Sequence, residues 1–462
     1  MTCVRAEEEP PRRIFAETEA QRDARLKWWT DARFGMFIHF GLYSLPARHE
    51  WVRGRERIEA EAYDGKYFGR FDPDLFDAKE WARAAKAAGM KYAVLTTKHH
   101  EGFCLWDTQT TDYKATKTPF GRDLVREFVD AFRSEGIRIG FYYSVIDWHH
   151  PDYLLDETHP TFCREFDKYG DADKPRFMKW LAQENARRDM SKYRDYLFRQ
   201  VEELLSDYGK VDLVWFDFTP QGSGEPAYGK TWRDWNAVEL LKMARRLQPG
   251  LIVDNRLDLM ETDDGWDFVT PEQFKVQCAP TVRGRKVPWE TCQTFSGSWG
   301  YSRDETSWKS PAQLVSLLAE TVSFGGNLIL NVGPTGRGEF DGRAKDRLSA
   351  MGRWMRWNAR SVYGCGAAPA GFEAPPGTAL TYNAQTGRLY IHLLQYPMGF
   401  LPTAFFDRID YAQFLHDGSE LKLRPPRQRS KQVGHQDRNY GGIVLPMTKP
   451  EVEVPVIEVF LK

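Results

Sequence analysis

Residues 211–218 read VDLVWFDF, in which Leu213, Val214, Trp215 and Phe216 are apolar in succession before a carboxylate at Asp217. A run without polar alternation needs cover on both faces, which is the situation of a strand in a parallel sheet. Six further segments share this texture: GMFIHF (35–40), YAVLTT (92–97), IRIGFYYS (137–144), LIVDN (251–255), NLILNVG (327–333) and, more weakly, WETCQTF (289–295). Between them lie amphipathic stretches that end at glycine, the residue that best takes the left-handed position closing a helix. They are DAKEWARAAKAAG (77–89), GRDLVREFVDAFRSEG (121–136), KYRDYLFRQVEELLSDYG (192–209), DWNAVELLKMARRLQPG (234–250) and SPAQLVSLLAETVSFGG (310–326).

Repeated strand–helix units leave two architectures, an open doubly wound sheet or a closed barrel. No GxGxxG or GxxxxGK[ST] follows any of the strands, so the nucleotide-binding open sheet loses its main support. Seven or eight strands spread over roughly 340 residues predict a (β/α)8-like (TIM-type) barrel. After Gly364 helical periodicity stops. TALTYN, RLYIHLLQY, DYAQFLHDGSELKLR, YGGIVLPM and VPVIEVFLK predict a C-terminal antiparallel β-sandwich, giving a barrel over 1–364 and a sandwich over 365–462.

Composition narrows the function. The 462 residues carry 64 Lys+Arg against 65 Asp+Glu, a net charge of −1, which argues against a nucleic-acid or anionic-membrane partner. No segment approaches the ~18 apolar residues of a membrane helix. The opening MTCVRAEEEPPRRIF has no apolar signal core, so the chain as written reads as cytoplasmic, and as secreted or periplasmic if a leader has been removed. Residues 1–26 read as frayed or helical. The six cysteines (Cys3, Cys104, Cys163, Cys278, Cys292, Cys365) form no CxxC pair and read as reduced thiols. With 16 Trp, 20 Tyr and 29 Phe the chain is rich in rings that serve either a large aromatic core or the stacking of sugars.

In a (β/α)8 barrel the working residues stand at the C-terminal ends of the strands. Those ends carry His39, then His49, Glu50 and Trp51; Lys98, His99 and His100; Tyr142 and Tyr143, then Asp147 to His150; Trp215 to Asp217; and Asp254 to Arg256. Glu272 follows in TPEQ, and Glu290 in the next strand segment. A mouth of imidazoles, indoles, one arginine and a few carboxylates suits a neutral polyhydroxylated ligand. His99 and His100, adjacent in sequence, should face opposite sides of a strand, and no HExxH occurs, so neither a metal nor another cofactor is expected. No Gly-x-Ser-x-Gly elbow is present. NVGPTGRGEF (331–340) lacks the Lys-Ser/Thr of a phosphate cradle and reads as a tight loop.

Carboxylate chemistry remains. A glycosidase needs one carboxylate at the anomeric carbon and one protonated carboxyl at the leaving oxygen. Asp217 suits the first role, with a helix-capping role as its alternative. Glu272 and Glu290 both qualify by position for the second, with a buried pairing to Arg256 as the alternative for Glu290.

These residues sit in segments that resemble the glycoside hydrolase family 29 α-L-fucosidases over nearly the whole chain. The matching stretches are WWTDARFGMFIHFGLYSLPARHEW (28–51), AAKAAGMKYAVLTTKHHEGFCLWDT (84–108), IGFYYSVIDWHHPDY (139–153), VDLVWFDF (211–218) and ETCQTFSGSWGY (290–301), with FGGNLILNVGPTGRGEF (324–340) and RWMRWNARSVYG (353–364). The resemblance implies a barrel followed by a β-sandwich and a retaining exo-α-L-fucosidase acting on fucosylated oligosaccharides or glycoconjugates. It assigns Asp217 as nucleophile and His39, Glu50, Trp51, His99, His100, Tyr143, Trp215 and Arg256 to the sugar pocket, with Trp299 closing over the methyl side of fucose. For the acid/base it points to Glu272 in preference to Glu290. The chain has FDF (216–218) where many relatives have FDG, and HFG (39–41) where many have HWG. Two other readings stay open: a glycosidase of the same fold for a related sugar such as α-L-galactose, and a fucose-binding protein without turnover. Linkage preference and oligomeric state are left open.

Overall fold

A computed structural model describes residues 9–170, 172–219, 228–273, 275–426 and 441–462; Cys3 lies outside them. The barrel strands are β1 (Phe34–Ile38), β2 (Tyr92–Lys98), β3 (Arg138–Ser144), β4 (Leu213–Asp217), β5 (Ile252–Val253), β8 (Glu290–Thr294) and β9 (Asn327–Val332), with a small hairpin of β6 (Thr281–Val282) and β7 (Arg285–Lys286) between them. All seven run parallel in the order β5-β4-β3-β2-β1-β9-β8.

Strands β5 and β8 are not paired with each other. The gap is bridged by residues 267–273, which form no regular strand. On one side the Asp267 N–H donates to the Val253 carbonyl at 2.8 Å; on the other, Val269 bridges Trp289 and Glu272 bridges Cys292, both in parallel sense. This segment stands where an eighth strand would close the barrel. It is pinned by the Asp267 carboxylate, which accepts from Arg25 (2.8 and 2.9 Å), Arg245 (2.6 Å) and the Val253 N–H (2.9 Å).

Side chains alternate along each strand. Phe37, Tyr92, Tyr142, Leu213, Trp215 and Ile329 fill the lumen as one cluster with Trp29, whose helix Glu19–Ala32 is capped by Thr18. Met36, Leu95, Phe141, Tyr143, Val214 and Phe216 belong instead to the larger cluster packed against the surrounding helices. The glycine-ended stretches form helices Ala78–Ala87, Leu124–Ser134, Met190–Ser206 and Pro311–Ser323, each opened by an Asp or Ser cap. The stretch at 234–250 is divided by Asn236, whose φ of 50° ends one short helix and starts Ala237–Leu247.

The C-terminal region pairs β10 (Gly366–Ala367), β11 (Thr378–Asn383), β12 (Arg388–Leu393), β14 (Ile409–Phe414) and β17 (Val456–Leu461) in one antiparallel sheet. A second sheet holds β13 (Phe400–Pro402), β15 (Leu423–Arg424) and β16 (Gly442–Val444). Leu389, Ile391, Leu401, Ile443 and Val459 from both sheets share one core, which is the packing of a sandwich. Among the described residues no helix is long and apolar enough to cross a membrane.

Candidate active site

A cavity of about 370 Å³ opens at the C-terminal ends of the barrel strands, lined by ten of the residues singled out from sequence: His39, Glu50, Trp51, His99, His100, Trp215, Asp217, Arg256, Glu272 and Trp299. Asp217 ends β4 on the same face as Leu213 and Trp215, so period two turns it inward. Both of its oxygens are held. Oδ2 accepts from the Tyr142 hydroxyl at 2.8 Å and Oδ1 from Arg256 Nη1 at 2.8 Å.

Arg256 also reaches Glu272. Its Nη2 donates to Glu272 Oε2 at 2.7 Å, its Nε to Thr270 Oγ1 at 2.9 Å, and its guanidinium lies 4.4 Å over the Trp215 ring. Burial works against the arginine's charge, but Asp217 and Glu272 outweigh it and hold its pKa above the ordinary value. The shared guanidinium brings the two carboxylates to one side of the pocket. Glu272 sits at the rim with its side chain 40% exposed, open to an entering or leaving group.

Two of the imidazoles, those of His39 and His100, are fixed in one tautomer. Asn331 Nδ2 donates to the Trp299 carbonyl at 2.6 Å, which turns its Oδ1 to His39 Nδ1, also at 2.6 Å; that nitrogen carries the hydrogen and Nε2 keeps its lone pair. His100 repeats the arrangement through Ser144, whose hydroxyl donates to the Ile146 carbonyl and accepts from Nδ1 at 2.7 Å. Burial depresses both pKa values to about 3, so the rings are neutral. Glu50 anchors the opposite wall: its Oε2 accepts the N–H groups of Trp299 (3.2 Å) and Gly300 (2.9 Å), while burial lifts its pKa to about 7. The pocket thus presents unprotonated nitrogens and a carboxyl to hydroxyl groups beside indole faces.

The family model described as "Alpha-L-fucosidase" matches residues 2–360. The chain belongs to the α-L-fucosidase family. Human plasma α-L-fucosidase is 31% identical over 378 residues, 76% of this chain and 72% of that protein. Among solved structures, α-L-fucosidase isoenzyme 1 from Paenibacillus thiaminolyticus superposes with a TM-score of 0.82 at 42% identity, over 96% of this chain and 99% of that one. A glycoside hydrolase family 29 α-L-fucosidase from Bacteroides thetaiotaomicron, solved as a trapped covalent intermediate with 2-fluoro-fucosyl fluoride, gives 0.79 at 27% identity over 98% of this chain and 100% of that one. A covalent intermediate is the mark of a retaining glycosidase.

Three expectations from sequence are corrected by the placement of the side chains in this family member. Tyr143 does not line the pocket. It is in register with Phe216 on the helix-facing side, where its hydroxyl donates to Gln200 at 2.8 Å; Tyr142, in register with Trp215, takes the inward place. His99 and His100 do not face opposite sides. Strand β2 ends at Lys98 after a register shift, and beyond it both rings turn to the pocket, their centroids 4.1 Å apart. Glu290 is not in the pocket and is not paired with Arg256. It opens β8 at the closed end of the barrel, fully buried, accepting from Trp29 Nε1 (3.2 Å), Trp215 Nε1 (3.3 Å) and the Tyr92 hydroxyl.

Sequence reading marked Phe218 as a departure in the FDF stretch but did not count it among the site residues. It follows the nucleophile candidate with φ 77°, a left-handed backbone that costs a bulky residue energy. Its ring packs on Trp51 at 5.8 Å and His100 at 5.4 Å, and it separates the pocket from a second cavity of about 380 Å³ toward Asn255, Asp258 and Glu261. The signal was present in the sequence, as a ring where many relatives carry glycine.

Proposed function

We propose that the chain removes terminal α-linked L-fucose by double displacement, with Asp217 as nucleophile and Glu272 as acid/base. The observation that supports these roles is the guanidinium of Arg256 bonded to both carboxylates inside one pocket. In the first step an Asp217 oxygen forms a bond to the anomeric carbon from the face opposite the leaving oxygen. The anomeric C–O bond breaks, its electron pair stays on the leaving oxygen, and that oxygen takes the proton of Glu272. Tyr142 and Arg256 hold the attacking carboxylate in line, so little reorganisation is needed. As Asp217 is esterified it loses its charge and as Glu272 gives up its proton it gains one, so the negative charge facing Arg256 passes from one carboxyl to the other. The guanidinium serves Glu272 alone, which as carboxylate takes a proton from the water that attacks the same carbon, and the electron pair returns to Asp217.

The fucosylated substrate would offer hydroxyl donors to the Nε2 lone pairs of His39 and His100, with its methyl side against Trp299. The leaving group would pass Phe218 into the second cavity. Proton NMR of the first product tests the mechanism: α-L-fucose should appear before its anomer. Initial release of β-L-fucose would overturn double displacement.

A further inference from the structure

At the other end of the barrel, helix Gly342–Asn358 finishes against the loop before β17, and the two enclose a cavity of about 580 Å³. Helices of a (β/α) barrel run antiparallel to its strands, so the end of this helix lies away from the mouth that holds Asp217. Trp354 builds the inner wall and is fixed by a 2.8 Å hydrogen bond from its Nε1 to the Val454 carbonyl. Trp357, at the rim, is 60% exposed, an uncommon cost for so large a ring in water.

The polar lining is unusual in being unspent. Arg353 and Arg356 from the helix, and Glu451 and Glu453 from the loop, all line the cavity, yet none of these side chains forms an ion pair or hydrogen bond among the described residues. Both signs of charge thus line one cavity with their hydrogen-bonding capacity unused among the described residues. Lys449 is directed to a backbone carbonyl, that of Glu453, at 3.2 Å. Asn358 lines the same cavity and is fully buried, and its Nδ2 is used by the Trp354 carbonyl while its Oδ1 has no partner. A buried acceptor left unmade costs about 1–3 kcal/mol unless something arrives to satisfy it.

We infer that this cavity is a second carbohydrate-binding site, distinct from the catalytic pocket, that takes a neutral oligosaccharide. An exposed indole offers a platform to the C–H face of a sugar ring. Free carboxylates and guanidinia of both signs offer acceptors and donors to its hydroxyls, and Asn358 Oδ1 offers one more acceptor. An anion would meet Glu451 and Glu453, and an apolar ligand would strand every charge, so the mixture selects hydroxyl groups. The site goes beyond the proposed catalysis and uses none of its residues.

The full-length chain should be titrated calorimetrically with N-acetyllactosamine and with lactose, neutral sugars that carry no fucose for the catalytic pocket. Saturable binding to at least one is expected, weakened about tenfold or more in Trp357→Ala, the equivalent of roughly 1.4 kcal/mol, and largely kept in Trp357→Phe. Hydrolysis of an aryl α-L-fucoside should be unchanged in both variants, so loss of that activity in the wild type would count against the catalytic reading alone. The inference is overturned if neither sugar binds, or if binding ignores Trp357→Ala. It is also overturned if inorganic sulfate binds there in an Arg353-dependent way while the sugars do not. A concentration-dependent dimer in sedimentation velocity that Trp357→Ala dissolves would likewise replace it with a contact between copies.

Discussion

Glu290 Oε1 accepts the indole Nε1–H of Trp215 at 3.3 Å from below, while Arg256 covers the ring's upper side at 4.4 Å. The floor of the pocket is therefore a single indole held between a buried carboxyl and the guanidinium that serves Asp217 and Glu272. Burial pushes the Glu290 pKa up to about 7 against the pull of Tyr92, Trp29 and Trp215. A carboxyl in this place can fix the height and tilt of Trp215. It cannot reach a glycosidic oxygen on the far side of that ring.

Asp217→Gly should lower turnover of fucosides by several orders of magnitude while the protein stays folded, because the change removes the proposed nucleophile and Arg256 keeps Glu272 as a partner. Azide should then restore reaction through the space left by the carboxylate and give β-L-fucosyl azide, with inversion at the anomeric carbon. Retention of near-wild-type activity would reject the assignment.

The neutral histidines give a spectroscopic expectation. With pKa values depressed to about 3, His39 and His100 stay unprotonated where an ordinary imidazole would titrate, between about pH 5 and 8. Their Nε2 nitrogens should therefore show ¹⁵N shifts of a lone-pair nitrogen that do not move over that range. Titration of either ring near pH 6.5 would show that its surroundings do not exclude water as the structure implies.

Much of this was legible because barrel strands carry two plain signals, apolar continuity and a polar residue where the run stops. VDLVWFDF placed Asp217 by both. The same rules, applied one step further, would have separated the remaining candidates. Glu290 begins its strand, which puts it at the end of the barrel opposite the mouth. Tyr142 shares the parity of its neighbour Trp215 across the sheet, and Tyr143 does not. What sequence did not reveal is the closing segment at 267–273. It has no apolar run, since its position depends on Asp267 meeting Arg25 and Arg245, groups more than 20 residues away in the chain. The pairing of Glu272 with Arg256 depends on that segment, so it too was out of reach.

Phe218→Gly tests why a ring tolerates φ 77°. Relief of a left-handed backbone should return about 1–2 kcal/mol. Loss of the contacts with Trp51 and His100 should remove about 0.5–1.5 kcal/mol, and the ring's lost burial more. Thermal stability should therefore fall modestly. KM for an oligosaccharide should rise severalfold more than KM for a small aryl fucoside, because the ring borders the second cavity, into which the leaving group is proposed to pass. Equal effects on both would make Phe218 a packing residue only.

Asp267→Asn should destabilise the chain by about 3 kcal/mol, read from the denaturant midpoint, because it leaves buried Arg25 and Arg245 with only Glu17 as counter-charge. Burial alone would raise the Asp267 pKa, but Arg245 and Arg25 outweigh it and hold it below the usual range. A carboxyl depressed in the folded state contributes its stability above the unfolded pKa of about 3.9 and loses it as pH falls through the lower folded value. The deficit of the variant should accordingly be full at pH 7 and shrink below about pH 4. A deficit independent of pH would mean that the lost hydrogen-bond geometry, not the charge, is responsible.

The acid/base assignment turns on the leaving group. An aryl oxide departs with little protonation, whereas a sugar alkoxide needs a proton as the bond breaks. Removing the true acid should therefore damage hydrolysis of fucosylated oligosaccharides far more than cleavage of an activated aryl fucoside, and should flatten the basic limb of the pH–rate profile. Glu272→Ala is expected to behave in this way, since Glu272 stands at the rim of the pocket and answers to the same arginine as the proposed nucleophile. Azide should attack the glycosyl-enzyme of that variant and give α-L-fucosyl azide, the opposite anomer to that expected from Asp217→Gly. Glu290→Ala is expected to lower kcat/KM for both substrates alike, because it drops the support beneath Trp215 and misplaces whatever sugar rests there. If the leaving-group dependence appeared instead with Glu290→Ala, the proton would have to come from below Trp215, and the floor of the pocket would have to open during catalysis.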